Sequence, residues 1–403
     1  MKINRRTKDH IEKVLKDTPV VLLSGSRQSG KSTLAGEFSN NHATLDDYSV
    51  LDAIQSDPEG YLQSRLNRPQ GLPFVLDEAQ LSPQLFRPLK KIIDECKKPG
   101  LMILTGSANL LSWNAMPDSL VGRMESIELF PFSLSEVTGI TSRWIDDIFD
   151  KTDINKIFQH QVSQADYEYF LMSGGFPEAF ARKDEDRRDD WLRNYVHNLI
   201  EKDARILGNI ESSVQLYRLI SLIANQVGST LNQTNLAQKT GISRPTALKY
   251  LRCLELLYLI TFVYPWHKNL NKRLVKSPKV YLNDTGVLRY LWPTAPQAGA
   301  LVEQHVLCEL RKQISFSKTK ASLYFYRTTE DAEIDFILEH RDGRLVCIEV
   351  KAAHQVTKND FRHLITFKQE NPEKFVKGLV LYQGNDILPF GDGLFAIPLR
   401  YLV

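Results

Sequence analysis

The sequence predicts an α/β protein of several domains, with a helical middle and a second α/β domain at the C-terminus. An apolar run, Val20–Leu23, leads into a glycine-rich loop and a helical pattern, which is typical of a parallel α/β unit. Residues 236–251 show the pattern of two short helices joined by a glycine turn. Residues 330–338 and 345–352 alternate polar and apolar side chains, as half-buried strands do.

Composition sets the broad class. The chain has 403 residues, enough for about two to four domains. An apolar fraction of 42% and a charged fraction of 25% are typical of a globular protein, and a net charge of +3 does not by itself indicate a nucleic-acid binder. The four cysteines have no paired spacing, so they indicate neither zinc nor a disulfide framework. The N-terminal segment lacks a signal-peptide core and no apolar run reaches membrane-spanning length, so we expect a cytoplasmic protein without a membrane partner.

The first motif is the glycine-rich loop between residues 25 and 32, Gly-Ser-Arg-Gln-Ser-Gly-Lys-Ser. Between a buried strand and a helix, it has the pattern of the phosphate-binding loop of nucleotide-hydrolysing domains, in which backbone N–H groups point at the phosphates. We predict that Lys31 reaches the β- and γ-phosphates of ATP and that the Ser32 hydroxyl helps to hold Mg²⁺. The predicted ATP-binding residues of this segment are Gly25, Ser26, Arg27, Gln28, Ser29, Gly30, Lys31, Ser32 and Thr33.

Two acids follow the next apolar run. Residues 72–76 suit a buried strand, and Asp77 and Glu78 come directly after it. Acids at the carboxyl end of such a strand lie at the crevice where α/β sheets bind ligands. We expect Asp77 to bind Mg²⁺ through water and Glu78 to polarise the water that attacks ATP.

Polar and basic residues further along supply two more candidates. Ser107 and Asn109 follow the strand expected at 101–104. We expect one of them, with Asn109 the preferred candidate, to contact the γ-phosphate or to orient the water; the alternative is that they only cap the next helix. Arg123 precedes another strand pattern. We predict that it acts as a catalytic arginine finger on the ATP of a neighbouring subunit, the alternative being an ordinary surface arginine.

These motifs resemble the AAA+ superfamily, and most closely a bacterial and archaeal ATP-binding family whose C-terminal half is a domain of unknown function of the DUF4143 type. The segments that carry the resemblance are 25–32, Leu-Asp-Glu-Ala-Gln at 76–80, Leu-Thr-Gly-Ser-Ala-Asn at 104–109, Leu-Val-Gly-Arg at 120–123, Ser-Gly-Gly-Phe-Pro-Glu at 173–178 and the run at 276–286. It covers nearly the whole chain. It implies an AAA+ fold and a ring-like homo-oligomer such as a hexamer.

The middle of the chain predicts a DNA-binding module. A short helix ends at Gly241, and Ser243 can cap a second helix, which gives the helix-turn-helix shape that reads the major groove in its DNA-binding form. Strand candidates at 259–264 and 279–282 flank a basic loop suited to phosphate contact, as in a wing. Its basic residues are His267, Lys268, Lys272, Arg273 and Lys276. We expect duplex or branched DNA as the partner, although winged helices also serve in packing or dimerisation.

The C-terminal strands carry a possible metal site. If residues 330–338 and 345–352 pair as a hairpin, Asp335, Glu349 and Lys351 come together on one surface. Carboxylates converging in this way suit Mg²⁺, and a neighbouring lysine can position the attacking water.

This Asp…Glu-x-Lys arrangement resembles the PD-(D/E)xK nuclease superfamily. The resemblance implies that Asp335, Glu349 and Lys351 are catalytic residues. It also implies that Asp335, Glu349 and Glu303 bind the metal, since Glu303 stands where that superfamily often carries a helix carboxylate. Ile334 stands where the namesake motif has proline.

The sequence thus predicts an oligomeric AAA+ ATPase that remodels or moves along DNA and cuts it at a Mg²⁺-dependent site. The alternatives are a regulatory ATPase switch with a non-cutting nuclease-like domain, and a protein remodeller. The predicted domains are an AAA+ P-loop ATPase core at 1–135, a helical lid at 136–210, a winged helix at 211–282 and a nuclease-like α/β domain at 283–403.

Overall fold

The computed structural model describes residues 3–67, 73–107, 120, 122–141, 143–150, 152–208, 210–269, 277–292, 298–328 and 332–403. The chain divides into two compact units. The N-terminal unit extends to Pro131 and includes Leu256–Tyr258, and the C-terminal unit comprises Phe132–Glu255 and Leu259–Val403. Asn109 and the basic residues Lys272, Arg273 and Lys276 lie outside the described residues.

The N-terminal unit is a five-stranded parallel sheet with helices. Its strands are β1 Val20–Ser24, β2 His42–Thr44, β3 Phe74–Asp77, β4 Met102–Gly106 and β5 Met124–Glu128, in the spatial order β2-β3-β4-β1-β5. Its helices are α1 Lys8–Val14, α2 Lys31–Ala35, α3 Tyr48–Ser56, α4 Pro58–Leu66 and α5 Phe86–Cys96, with 3₁₀ turns at Ala79–Leu81 and Pro83–Leu85. The phosphate loop comes directly after β1, an interior strand of this parallel sheet, so it lies at the carboxyl edge of the sheet.

The apolar strands explain this layered arrangement. Successive residues of a strand point to opposite faces of the sheet. Val20 and Leu22 accordingly join one buried cluster, and Val21 and Leu23 join another. Since both faces of the sheet are covered, the continuous apolar runs of β1, β3 and β4 bury every residue.

The C-terminal unit begins with a helical segment. Its helices are α6 Leu134–Thr138, α7 Trp144–Asp147, α8 Ile154–Ile157, α9 Gln164–Ser173, α10 Pro177–Ala181, α11 Glu185–Asn198, a π-helical turn at Leu199–Asp203, α12 Ala204–Gly208 and α13 Ser213–Ala224. On α11, Trp191 stacks on the buried Tyr195 with ring centroids 5.1 Å apart, so these aromatic side chains serve in packing.

The predicted helix-turn-helix is confirmed. Helices α14 Gln233–Thr240 and α15 Arg244–Leu256 are joined through Gly241, whose left-handed φ of 70° reverses the chain. The Ser243 hydroxyl accepts a hydrogen bond from the Thr246 N–H at 3.2 Å. Strands β6 Ile260–Val263 and β7 Lys279–Leu282 follow as an antiparallel pair.

The last part of the unit is a six-stranded mixed sheet. Helices α16 Thr285–Leu291, α17 Ala298–Phe316 and α18 Arg362–Glu370 accompany strands β8 Ser322–Arg327, β9 Glu333–Glu339, β10 Leu345–Val350, β11 Phe375–Tyr382, β12 Leu388–Gly391 and β13 Leu394–Pro398, with 3₁₀ turns at Lys358–Phe361 and Leu399–Tyr401. The sheet order is β12-β13-β11-β10-β9-β8. The predicted hairpin is confirmed, since β9 and β10 pair antiparallel. No helix within the described ranges has the length and apolarity needed to cross a bilayer.

Candidate functional site

The phosphate loop requires glycine at both ends. Gly25 has φ 141°, and a Cβ atom there would lie 2.3 Å from the carbonyl oxygen of Leu129. Gly30 has φ 95°, in the left-handed region that residues with a Cβ rarely adopt. Arg27 and Gln28 are exposed at the tip of the loop, whereas Ser26 and Ser29 are buried.

Lys31 lies inside this loop. Its ammonium donates to the carbonyl oxygens of Gly25 at 3.0 Å and Ser26 at 2.8 Å. Burial lowers the pKa of Lys31 to about 8, although Glu78 and Asp77 act in the opposite direction. The charge is therefore incompletely compensated, and a phosphate group would restore the balance.

Two buried hydroxyls support the same interpretation. The Oγ atoms of Ser26 and Ser29 have no hydrogen-bond partner among the described residues. Buried polar atoms are normally paired, so unpaired ones in a loop of this kind indicate a place for phosphate oxygens. Ser32 and Thr33, the next residues of α2, are exposed.

The two predicted acids lie at the carboxyl end of β3. The Asp77 carboxylate accepts hydrogen bonds from the Thr105 hydroxyl and from the Glu78 N–H, the latter at 3.2 Å. Glu78 has a left-handed φ of 58°, which is uncommon for a residue with a side chain and is concentrated at functional sites. Burial raises the pKa of the Glu78 carboxyl.

Gln80 is a site residue that sequence reasoning missed. Its side-chain amide donates to the Glu78 carboxylate and also to the Ser107 hydroxyl at 3.2 Å, while Ser107 donates to Glu78 at 3.3 Å. The Gln80 amide and the Ser107 hydroxyl thus fix the orientation of the Glu78 side chain. The available signal was its place two residues after Glu78, at the end of the 76–80 segment that carries the family resemblance.

Arg5 is a second missed residue. Its guanidinium donates to the carbonyl oxygen of Ser29 at 2.8 Å and to that of Phe130. It therefore joins the phosphate loop to the segment after β5. Nothing in the sequence around Arg5 indicates this long-range contact.

This donor set fits ATP with Mg²⁺. The loop N–H groups, Lys31 and the unpaired hydroxyls would hold the phosphates, and Ser32 and Asp77 would hold the metal, which offsets charge on the transferred phosphoryl group when bound. Glu78, held by Gln80, is the carboxylate placed to polarise water.

Arg123 lies away from this set. Its carbonyl oxygen accepts from the N–H of Val20, at the start of β1, whereas the phosphate loop follows the other end of that strand. Its side chain pairs with Asp94. Arg123 therefore cannot reach the phosphate loop of its own chain in this conformation.

The four residues predicted for the C-terminal site do come together. Glu303 on α17 and Asp335 on β9 flank a common cation, and Asp335 accepts from the Val350 N–H at 2.8 Å. Lys351, one residue beyond β10, lies 3.5 Å from Glu349. Burial, followed by repulsion from Asp335, raises the pKa of Glu349 to about 9 and that of Glu303 to about 7.

The common cation is Lys279 of β7, which sequence reasoning assigned only to a wing strand. Its ammonium lies 3.3 Å from Glu303, 2.5 Å from Glu333 and 3.7 Å from Asp335, and its side chain is 2% exposed. The Tyr281 hydroxyl donates to Glu303 at 2.6 Å. The three carboxylates hold the pKa of Lys279 above its ordinary value despite burial.

The cluster as arranged does not fit Mg²⁺. An ammonium already lies among the carboxylates predicted to bind it, and Glu303 and Asp335 each accept a further hydrogen bond. In the described parts of the chain, no group of three or more His, Cys, Asp or Glu side chains is arranged to hold a metal ion. Of the predicted metal ligands, Glu303 and Asp335 lie around Lys279. Glu349 instead lies beside Lys351 and keeps one buried oxygen without a hydrogen-bond partner among the described residues, so the role of these three residues as metal ligands stays a prediction.

Comparison with protein-family models divides the chain into three parts. Residues 17–138 match an AAA domain, 164–298 match a domain of unknown function (DUF8612), and 298–402 match a domain of unknown function (DUF4143). The chain carries an AAA-type ATPase domain followed by a DUF4143 domain. The AAA match includes the phosphate loop, Asp77 and Glu78.

Similar proteins span most of the chain. The uncharacterised proteins Mb2031c of Mycobacterium bovis and Rv2008c of Mycobacterium tuberculosis are each 27% identical over 401 residues, covering 96% of this chain and 82% of theirs. The uncharacterised protein MJ1637 of Methanocaldococcus jannaschii is 22% identical, covering 87% of this chain and 80% of its own.

Two solved structures are similar to this chain over part of its length. The RuvB Holliday junction branch migration motor of Thermotoga maritima has 17% identity and a TM-score of 0.33, covering 64% of this chain and 89% of that one. A STAND signal-transduction ATPase of Pyrococcus horikoshii has 12% identity and a TM-score of 0.30, covering 80% and 49%. At such low scores, nothing about the activity or assembly of this chain follows from either protein.

Proposed function

We propose that this chain is an ATP-hydrolysing, DNA-binding protein. In this proposal the helix-turn-helix contacts DNA, and the C-terminal domain is a DNA-binding module that does not cut DNA. The observation that carries the DNA assignment is the exposed face of α15. Arg244, Leu248 and Arg252 recur every four residues and are exposed, while Tyr250 and Leu254 on the other side are buried.

A groove beside this face supports the proposal. It has a volume of about 820 Å³ and lies between α15 and the β6–β7 pair. Arg244 and Arg252 line it together with Phe262 and Tyr264 of the β6 segment and with Glu255, which pairs with Arg252 at 2.7 Å. Arginines contact phosphates and aromatic side chains stack on exposed bases, so a nucleic-acid backbone suits this surface better than an acidic peptide does.

The test measures binding of labelled duplex and four-way branched DNA by fluorescence anisotropy. Replacing Arg244 and Arg252 together by alanine should weaken binding and reduce the slope of log K against log salt by about two, since each phosphate contact contributes about 0.9. Arg187→Ala is the matched control, because Arg187 pairs with an acid three residues on, as Arg252 does. Equal loss in control and test variants would contradict the assignment.

Cleavage is the competing prediction and is tested on the same DNA with Mg²⁺ or Mn²⁺. The convergence of Asp335, Glu349 and Lys351 is the observation that favours it. If the protein cuts DNA, and if this cleavage is lost with EDTA and in Asp335→Ala, then the role of the C-terminal domain is cleavage and not binding alone. An ATPase rate that responds to a protein and ignores all DNA would instead favour a protein remodeller.

We also propose that the chain assembles into a ring-like homo-oligomer. The support is the position of Arg123, which lies at the start of β1, at the opposite end of the strand from its own phosphate loop. If Arg123 contacts ATP, the ATP must therefore be bound by a neighbouring subunit. Sedimentation of the protein with and without ATP measures this assembly.

A further inference from the structure

We propose that Lys279 is the resident cation of Glu303, Glu333 and Asp335, the acidic cluster of the C-terminal domain, so that these carboxylates bind no divalent metal while Lys279 is in place. The inference deepens the proposed function, in which the domain binds without cutting. It assigns to Lys279 a role that neither its strand nor its sequence neighbours suggest.

The surroundings of Lys279 resemble those of a bound metal. Its ammonium is approached by carboxylates from two different elements, Glu303 on α17 and both Glu333 and Asp335 on β9. The ring of Phe325 lies 5.5 Å from the same ammonium. A lysine held by three carboxylates and shielded by an aromatic ring is fully compensated, so it has no reason to leave.

A divalent ion would have to enter beside this ammonium or replace it. Beside it, the two like charges would lie within the reach of shared carboxylates and repel each other. Replacing it would leave a buried lysine without a partner, which is costly. Both routes oppose metal binding, and one oxygen of each carboxylate, Glu303 Oε1 and Asp335 Oδ2, also accepts a hydrogen bond, from Tyr281 and from the Val350 N–H.

Backbone contacts also hold Lys279 in place, and they involve elements other than α17 and β9, which carry the three carboxylates. Lys279 belongs to the β6–β7 pair that follows the helix-turn-helix. Past β6, the Phe325 N–H donates to the carbonyl oxygen of Tyr264 at 3.1 Å, and the Trp266 N–H donates to that of Phe325 at 2.6 Å. Because these bonds attach the hairpin to β8, Lys279 is held in place by the backbone as well as by its ion pairs.

The experiment titrates Mn²⁺ into full-length protein without nucleotide and follows free Mn²⁺ by electron paramagnetic resonance. All proteins carry Asp77→Asn, which removes the predicted metal ligand of the ATP site. The proteins compared are the parent, Lys279→Met, which removes the charge, and Lys279→Arg, which keeps it. We expect no saturable Mn²⁺ site in the parent or in Lys279→Arg, and one site at least about tenfold tighter in Lys279→Met, where Glu303 and Asp335 lose the cation between them and Glu333 keeps its pairing with Arg327.

The parent protein decides the proposal even if Lys279→Met does not fold. A saturable Mn²⁺ site in the parent that is lost in Asp335→Asn would overturn it, and absence of such a site supports it. A folded Lys279→Met protein without a new site would also count against it. DNA binding is measured on the same samples, so a failure of the proposed DNA function is distinguishable from a failure of this inference.

Discussion

His305 provides a quantitative test of the packing around α17, the helix that also carries Glu303. The imidazole is fully buried, with the Tyr167 ring at 5.3 Å and the Phe170 ring at 6.0 Å in edge-on contact. Neither ring nitrogen has a hydrogen-bond partner among the described residues. Burial, with a smaller contribution from the positive charge of Lys312, lowers the pKa of His305 from 6.5 to about 3.

The sign and size of the effect follow from linkage. The unfolded histidine takes up a proton as the pH falls through 6.5, whereas the folded imidazole stays neutral down to about pH 3. The stability contributed by His305 is therefore fully present above pH 6.5 and is lost at lower pH. With about 1.4 kcal/mol for each pKa unit, the loss reaches about 2 kcal/mol at pH 5.

Urea unfolding at pH 8, 6.5 and 5 measures this loss as a difference between wild type and His305→Phe, whose ring fills the same space without titrating. The other titrating groups are common to both proteins and cancel. We expect the difference in unfolding free energy to change by about 2 kcal/mol between pH 8 and pH 5. His160→Phe, at an exposed position, controls for the loss of a histidine as such. Parallel pH curves for wild type and His305→Phe would refute the reasoning.

The remaining predictions concern the ATP site. Lys31→Ala should abolish productive ATP binding, because no other buried cation lies in the described loop; nucleotide binding by fluorescence checks this. Glu78→Gln should bind ATP but stop turning it over, because an amide cannot polarise water as a carboxylate does; unchanged steady-state turnover would remove Glu78 from that role. Mixing Arg123→Ala with Lys31→Ala protein should partly restore hydrolysis if Arg123 acts across a subunit boundary, and no rescue in demonstrably mixed oligomers would contradict a shared site.

Local patterns predicted much of the fold. The apolar run of β1 with its loop, the helix-turn-helix around Gly241 and the β9–β10 hairpin each lie within a short stretch of sequence, and the structure confirms these elements. In each, turn chemistry and side-chain periodicity act over neighbouring residues, which is the information that one sequence contains.

Contacts between distant segments were not predictable in the same way. Arg5 reaches the phosphate loop across 24 positions and Lys279 reaches Glu303 across the same separation. The sequence flanking each residue carries no recognisable pattern, and Lys279 has the position of an ordinary polar residue at the start of a strand. The predicted boundary between 282 and 283 passes between Lys279 and all its carboxylate partners, because an ion pair leaves no trace in local composition.

Two of the buried lysines, Lys31 and Lys279, explain why we place chemistry in one site and structure in the other. Lys31 donates to backbone carbonyls, its pKa is lowered, and two unpaired hydroxyls lie in its loop. Lys279 is surrounded by carboxylates and its pKa is raised. A buried cation with too little negative charge around it is able to bind an anion, whereas one that is already compensated gains little from one. The phosphate loop is therefore incomplete without a ligand, whereas Lys279 and its three carboxylates already compensate one another.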